Sequence, residues 1–313
     1  MQQANAVNSL HQDDHIWLAD GPDATTWGLA PNYPCCTANG PQGWPRFVPR
    51  MIHATIDGGI AISLLGPLTA TVSLFGPNKG FQAILSVTTD YPFGDFLDIG
   101  LSLSGSPPSG FVPIYLRIPS WSTSANISVM NGPIINAGPN GTMFLIPNLG
   151  MAKLGLAQTA HVELNPSIYI DSVGVLYNGA VSIHRGALTY GMSLGEKINV
   201  TNVHECPAVD HPLINDFTIN STSTWNVALI LDPNSSDLSK YLTFSRIGTL
   251  NMSQPFDHSA PPLQITAMAR EIPSWLLQHG SAAAPPNSPA CSTPNQCGEP
   301  FSVTFVPAVS IYE

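Results

Sequence analysis

Leu97-Asp98-Ile99-Gly100-Leu101-Ser102-Leu103 alternates apolar residues with small or polar ones without a break. Side chains of a strand point to opposite faces in turn, so a period of two marks a strand with one buried face. Short runs of the same style lie upstream at Ile60-Ala61-Ile62-Ser63-Leu64-Leu65, Leu68 to Val72 and Gln82 to Val87. They continue downstream at Pro113 to Ile118, Ile127 to Val129, Met143 to Ile146 and His161 to Leu164. Gly and Pro turns bound them, which is how a β-sandwich reads. A second set begins near Val173, with runs at Ala180 to Tyr190, Trp225 to Leu231, Leu263 to Met268 and Ser302 to Val306. Asn165-Pro166 offers a boundary between the sets. The expected fold is mainly β: two consecutive antiparallel β-sandwich domains over 56–170 and 171–313, after a short helical piece within 1–55.

Composition supports this class. The chain has 313 residues, 30 Pro, 26 Gly and only 10% charged side chains, a loop-rich β composition rather than a helical bundle or a disordered tail. A formal net charge of −10 argues against nucleic acid, whose phosphates require a basic surface, and against an anionic membrane. Gly58 to Asn78 carries no charged residue and approaches spanning length, yet Gly66-Pro67 breaks it and Ser and Thr fill it. It reads as two strands around a turn, with no membrane partner expected.

Ahead of the strands, Trp44, Phe47, Val48, Met51 and Ile52 fall at helical spacing, with Pro45 suited to a first turn and Pro49 expected to kink or delay the helix. The preceding forty or so residues offer little apolar surface for that stripe. His11, Asp14 and His15 share a helix-face spacing that metal ligands sometimes use, although an exposed polar face is the commoner use of it.

Just before the helix stands Pro34-Cys35-Cys36-Thr37-Ala38-Asn39-Gly40-Pro41-Gln42-Gly43-Trp44-Pro45-Arg46-Phe47. Adjacent cysteines reach disulfide geometry with each other only under strain. Each needs another partner: a distant cysteine, a metal or a substrate. Two readings stay open on the residues alone, structural cysteines or thiolates for zinc and nucleophilic chemistry. Cys291 and Cys297, with five residues between them, are expected to close a small disulfide loop in an oxidising compartment. Cys206 is left over, to be buried or to bond Cys35 or Cys36. Six Asn-x-Ser/Thr sequons, at Asn126, Asn140, Asn199, Asn220, Asn234 and Asn251, favour a secreted glycoprotein. The polar start Met1-Gln2-Gln3-Ala4-Asn5-Ala6 is not a signal peptide, so the expectation is a chain whose natural beginning, leader included, lies further upstream.

The Cys-Cys stretch resembles the signature of the β-L-arabinofuranosidase-like proteins of glycoside hydrolase family 127, in a fungal secreted branch. Leu116-Arg117-Ile118-Pro119-Ser120-Trp121 with Ile127-Ser128-Val129-Met130-Asn131-Gly132 is similar to the family's Arg-Ile-Pro-x-Trp and Val-Asn-Gly wording, Met130 being an insertion. Arg185-Gly186-Ala187-Leu188-Thr189-Tyr190 resembles its Arg-Gly-Pro-Leu-x-Tyr strand with Ala187 in place of Pro. Thr224-Trp225-Asn226-Val227-Ala228-Leu229 and Ile272-Pro273-Ser274-Trp275 also fit. The resemblance runs from about residue 25 to about residue 307 and covers the later part of the family's length. It implies that residues 1–55 are the remnant of a helical (α/α)6 catalytic barrel.

The family breaks glycosidic bonds with a cysteine thiolate held on zinc, where most glycosidases use a carboxylate. Carried over by position, the resemblance implies Cys35 as nucleophile and zinc ligand, Cys36 as a second zinc ligand, and retaining hydrolysis of L-arabinofuranosyl groups. The family also uses a Glu acid/base and a Glu-x-Cys upstream of the Cys-Cys loop. Here no Glu precedes Glu163 and no Cys precedes Cys35, so the donor set is half complete and little activity is expected of these residues alone. The alternative is a non-catalytic β-sandwich that binds carbohydrate or serves structure, with Trp121, Trp225 and Trp275 as stacking candidates or core anchors. A free-standing metal or redox protein on Cys35 and Cys36 would lack the rest of its ligands.

Overall fold

The structure is a computed structural model that describes residues 26–27, 42–138, 141–172, 178–203, 215–257, 259–278, 281–293 and 295–308. Cys35, Cys36, Cys206, Asn140 and the His11, Asp14, His15 trio lie outside the described residues. The fold is mainly β. Strand β1 (Thr26–Trp27) and the helix α1 (Gly43–Phe47) come first. Strands β2 (Ile52–Ala54), β3 (Ile60–Ile62), β4 (Leu68–Ser73), β5 (Gln82–Thr88), β6 (Phe96–Leu103) and β7 (Ile114–Arg117) follow. Next come β8 (Ser122–Val129), β9 (Ile135–Ala137), β10 (Met143–Leu145), β11 (Ala157–Pro166) and β12 (Ile168–Ser172). The rest are β13 (Val181–Arg185), β14 (Leu188–Met192), β15 (Glu196–Val203), β16 (Asn215–Ser221), β17 (Val227–Leu229), β18 (Leu242–Arg246), β19 (Leu263–Glu271), β20 (Leu277–Gln278), β21 (Ser281–Ala282) and β22 (Pro300–Pro307). Two compact units result: residues 44–168 with the turn 185–188, and the remainder of the described chain.

The first unit is a sandwich. One sheet has the order β10-β7-β3-β2 and the other β4-β5-β6-β11-β8-β9. Their inner faces share one core, in which Ile60, Ile62, Ile114 and Leu116 meet Leu85, Ile99, Ile127 and Val162. In β6 the alternation read from the sequence is realised: Leu97, Ile99, Leu101 and Leu103 are buried, while Phe96, Asp98 and Ser102 face out. Each such aliphatic side chain contributes about 1.5–3 kcal/mol when fully buried, so these strands are held mainly by their apolar faces. The segment 58–78 does form two strands about a turn, but β3 and β4 belong to different sheets, so the turn carries the chain across the sandwich. One detail departs from a purely antiparallel sandwich. Strands β3 and β7 pair in parallel, Ile60 with Ile114 and Ile62 with Leu116. Parallel neighbours need a crossover, and here β4, β5 and β6 supply it by way of the opposite sheet.

Loops between these sheets are pinned by buried amides. Asn78 has no exposed surface. Its Nδ2 donates to the Gly58 and Phe111 carbonyls, both at 2.9 Å. Its Oδ1 accepts from the Ser109 N–H at 3.2 Å and the Ser109 hydroxyl at 2.8 Å. Gln158 does similar work: Oε1 accepts from Gly150 N at 2.8 Å, and Nε2 donates to the carbonyls of Met151 and Gly155. Gly150 is required there, since its φ is +91° and a Cβ would stand 2.0 Å from the Val112 oxygen.

The second unit is built on a sheet ordered β12-β13-β14-β22-β19-β17, with β18 also pairing β19. Strands β17 and β18 lie end to end along one edge of the long β19, Val227–Leu229 against 269–271 and Leu242–Arg246 against 263–267. Ile265, Ala269, Val303 and Phe305 are buried on the central strands. Smaller sheets β1-β16-β15 and β20-β21 complete the unit.

The helical stripe expected over Trp44 to Ile52 is shorter than its spacing suggests. Helix α1 ends at Phe47 and tightens into a single 3-10 turn, Val48–Arg50, before β2 begins at Ile52. Pro49 has no N–H to donate and clashes with a continuing helix, which accounts for the stop. Phe47 and Val48 are exposed, while Met51 is buried and Ile52 packs against the core.

Candidate functional site

The cysteine pair lies outside the described residues, and the described part shows what the other signature residues do. Arg117, at the end of β7, begins the Arg-Ile-Pro-Ser-Trp stretch, in which Ile118 is fully buried and the Ser122 N–H closes a turn on the Pro119 carbonyl. Trp121 packs on the sandwich core and stacks with Tyr91, ring centres 6.4 Å apart and planes 17° apart. These two rings, Arg117, Ser120 and the strand-to-strand segment Ser63 to Leu65 enclose a cavity of about 110 Å³. Burial raises the Tyr91 phenol pKa, and the Arg117 charge opposes that rise.

The second signature stretch meets the first. In the turn after β13, Gly186 takes a φ of +60°, and a Cβ there would lie 3.3 Å from Pro166 and 3.7 Å from the Trp121 ring. A larger residue would be strained by its backbone and would press on that ring. Arg185 beside it grips Asp95 with two nitrogens, at 3.2 and 2.9 Å. Both side chains are largely buried, and a bidentate guanidinium–carboxylate pair fixes orientation as well as charge. His184 accepts or donates to Ser182 at 2.7 Å and stacks on Tyr169.

The last two signature stretches also pair with each other. Asn226 donates to the carbonyls of Ile272 at 2.8 Å and Trp275 at 3.2 Å. Trp225 meets Trp275 edge to face at 5.2 Å, and the Trp275 indole donates to Ala283 O at 2.8 Å. Trp121, Trp225 and Trp275 are each half-buried and each engaged in packing. These motif residues hold turns and strands in place.

Among the described residues, no three His, Cys, Asp or Glu side chains come together as a metal site. Cys291 and Cys297 form a disulfide, Cα atoms 5.6 Å apart, so neither offers a thiolate. The electrostatic features that remain are exposed pairs. His161 Nδ1 lies 2.7 Å from Asp98 with Phe96 stacked on the imidazole. Asp57 accepts from Thr55 and, at 2.6 Å, from Tyr115. Those bonds, Thr55 first, hold the Asp57 carboxyl below its usual range, and the same carboxylate raises the Tyr115 phenol. No helix of the described residues is long and apolar enough to cross a membrane.

The described sequons differ in setting. Asn126 sits half-buried in β8, its Nδ2 donating to Glu163 at 3.3 Å and its Oδ1 accepting from Asn136. Asn199, Asn220 and Asn234 are exposed. Asn251 is exposed too, its Oδ1 taking the Ser253 N–H at 3.1 Å and hydroxyl at 2.7 Å. The residues that sequence reasoning missed are Asn78 and Gln158. A lone amide between turn glycines carries no periodic signal, and only the surrounding carbonyls reveal its work.

No family profile and no curated protein sequence matches the chain. Solved structures do. A GH127 β-L-arabinofuranosidase from Geobacillus stearothermophilus T6 superposes at a TM-score of 0.55 and 13% identity, over 88% of this chain and 35% of that one. A structure described as a glycoside hydrolase matches at a TM-score of 0.52 and 13% identity, over 92% of this chain and 42% of its own. The chain thus spans well under half the length of either structure, and over that span it shares the β-sheet fold of a glycoside hydrolase of family 127.

Proposed function

We propose that the chain is the C-terminal part of a secreted glycoside hydrolase resembling the β-L-arabinofuranosidases, and that its Cys35-Cys36 loop is one wall of the active site. The observation that carries this reading is the fold shared over 88% of the chain with a GH127 β-L-arabinofuranosidase, joined to the Cys-Cys-Thr-Ala-Asn-Gly wording at residues 35–40. Cys35 is the nucleophile. Its thiolate attacks the anomeric carbon, the carbon–sulfur bond forming as the glycosidic carbon–oxygen bond breaks. The departing oxygen takes a proton from a carboxylic acid outside these residues, and water later hydrolyses the thioether with retention. Cys36 and Cys35 are two zinc donors. When bound, the metal would keep their sulfurs deprotonated. A structural site needs four ligands and a catalytic one three, so two cysteines cannot hold the ion unaided.

The first observation to make is the reading frame upstream of Met1, expected to encode a helical region with a Glu-x-Cys. In that longer protein, Cys35→Ala should abolish turnover of an aryl β-L-arabinofuranoside and the covalent sugar adduct seen by mass spectrometry. Cys36→Ala should lower zinc content first. Residues 1–313 alone should turn over slowly or not at all, because general acid catalysis is worth about 10²–10⁴-fold and its carboxyl has no counterpart before the loop. Near-wild-type turnover by Cys35→Ser, or labelling of a carboxylate by a trapping substrate, rejects the thiolate.

A further inference from the structure

An edge strand presents a row of backbone N–H and C=O groups that another strand can take up. Folded proteins usually blunt such an edge with a charge, a proline, a bulge or plain shortness. Most edges of this chain are blunted in that way. Strands β1, β2, β9, β10, β17, β20 and β21 have two or three residues each, β12 carries Asp171, β15 carries Glu196 and Lys197, and β18 carries Arg246. Among the described residues β4 is the exception. It runs for six residues, Leu68–Ser73, at the edge of the six-stranded sheet, with no charge, no proline and no break in its register against β5. The Leu74 N–H bonds to the Phe81 carbonyl, and bonded pairs alternate along an antiparallel ladder. Ser73 and Gln82 are therefore a non-bonded pair, and the Gln82 carbonyl is taken by Ser104 on the far side of β5. By the same alternation the N–H and C=O groups of Thr69, Thr71 and Ser73 point away from β5, and no described residue bonds to them.

We propose that β4 is a pairing edge for a second copy of this chain, antiparallel about a two-fold axis through Ala70. The wording Leu68-Thr69-Ala70-Thr71-Val72 reads nearly the same in both directions, which is what a two-fold contact asks of a strand. That register sets Thr69 of each copy opposite Thr71 of the other, and the outward N–H and C=O groups of both threonines are all satisfied. Leu68 of each copy then meets Val72 of the other on the inner face, where both side chains already belong to the sandwich core. The two sheets become one continuous sheet. Charge favours the same choice. A chain of net charge −10 repels its own copies, whereas neither β4 nor β5 carries a charged residue, so two copies can meet here without like charges in contact. The opposite edge of the sheet is the short β9, with the sequon residue Asn126 on the strand beside it, so the pairing closes at a dimer. A strand-on-strand contact of this length falls below the roughly 1,200 Å² of a stable specific interface, so the association is weak.

The test is sedimentation equilibrium of residues 1–313 from about 5 to 500 μM, which should show monomer and dimer with a Kd of about 10–300 μM and no larger species. Thr71→Lys, whose side chain points to solvent and leaves the β4–β5 pairing in place, should raise that Kd about ten-fold or more. Cysteine cross-linking under mild oxidation, scored against the wild type, reads the register. Ala70→Cys sits on the axis, where facing Cα atoms of a non-bonded pair lie about 4.5 Å apart, and should form a disulfide-linked dimer. Ser73→Cys lies three residues off the axis in each copy, about 20 Å from its counterpart, and should not. The readout is association without turnover, so its result is separate from that of the hydrolysis proposed above. The proposal fails if the chain stays monomeric at about 500 μM. It fails equally if Thr71→Lys, folded by circular dichroism, associates as the wild type does, if Ser73→Cys cross-links as readily as Ala70→Cys, or if species larger than a dimer grow with concentration.

Discussion

The two units treat polar groups in opposite ways. In the first, Asn78, Ser122 and Gln158 are fully buried. All three are bonded, Ser122 through its donation to Ser124 O at 2.6 Å and acceptance from Asn165 N. In the second, no side chain of that kind is fully buried among the described residues, and the loops are tied from outside by a disulfide and by the Asn226 and Trp275 bonds. Polar side chains there are half-buried or exposed, as at Thr243, Ser245 and Thr266. A buried amide with every partner in place specifies one arrangement of loops and tolerates no loss, because each orphaned partner keeps its full desolvation cost. Open hydroxyls on a sheet cost nothing in water and remain available to a ligand. The first unit buries polar groups to fix its loops, and the second does not.

The largest effect should come from breaking the scaffold. Asn78→Leu keeps the volume but orphans the Gly58 carbonyl and the Ser109 N–H and leaves the Phe111 carbonyl only its bond from the Ser109 hydroxyl, and should cost about 3 kcal/mol or more. Urea denaturation should show the drop, and a loss below about 1 kcal/mol would erase the contrast between the units. Replacing Cys291 and Cys297 together by Ser should cost about 2 kcal/mol, the chain-entropy value for so short a loop. Hydrogen exchange should place the damage locally. Protection should fall around 283–300 and stay unchanged in β5, β6 and β8. Spread of the loss into those strands would show that the sandwich depends on the disulfide.

The smallest effect concerns Asp57. Its folded pKa is depressed by the bonds from Thr55 and Tyr115, so its stabilisation is fully present above the unfolded value of about 3.9. It is lost as pH falls through the lower folded value. Tyr115→Phe removes one of the bonds. The melting temperatures of the two proteins should differ slightly and constantly from pH 5 to 8 and converge in acid. The carboxylate is exposed, so solvent screening keeps the difference well under 1 kcal/mol. Curves that diverge in acid would reverse the sign of the coupling.

Strands whose burial alternates were legible because one face must leave water: β5 and β6 can be traced nearly residue by residue, and β11 from His161 to Leu164. Strands such as β15 (Glu196–Val203) and β16 (Asn215–Ser221) were not, since their apolar alternation is only two residues long, Ile198 and Val200 in one and Phe217 and Ile219 in the other, among polar neighbours. Ile52, the first residue of β2, read as helix because Met51 and Ile52 happen to continue a spacing of three and four that Pro49 interrupts. The parallel β3–β7 pair is a property of the path between sheets, invisible in any local window. At the candidate site the signature words could be read, while their physical work could not. Nothing in Trp121 or Gly186 alone announces that one packs on the other, 65 residues apart in the sequence.

The amide of Asn126 carries a consequence in time. A glycosyl transferase needs a free Nδ2 on a chain that can bend into its active site, and in the finished sheet that nitrogen is turned to Glu163 while its strand lies between β9 and β11. In a secretory compartment, sugar could join Asn126 only while the polypeptide is still emerging, before the sheet assembles. Asn251, exposed in its turn, stays open afterwards. The ratio of occupancy at the two sites would then record how quickly the first unit closes relative to its synthesis, a clock written into the product.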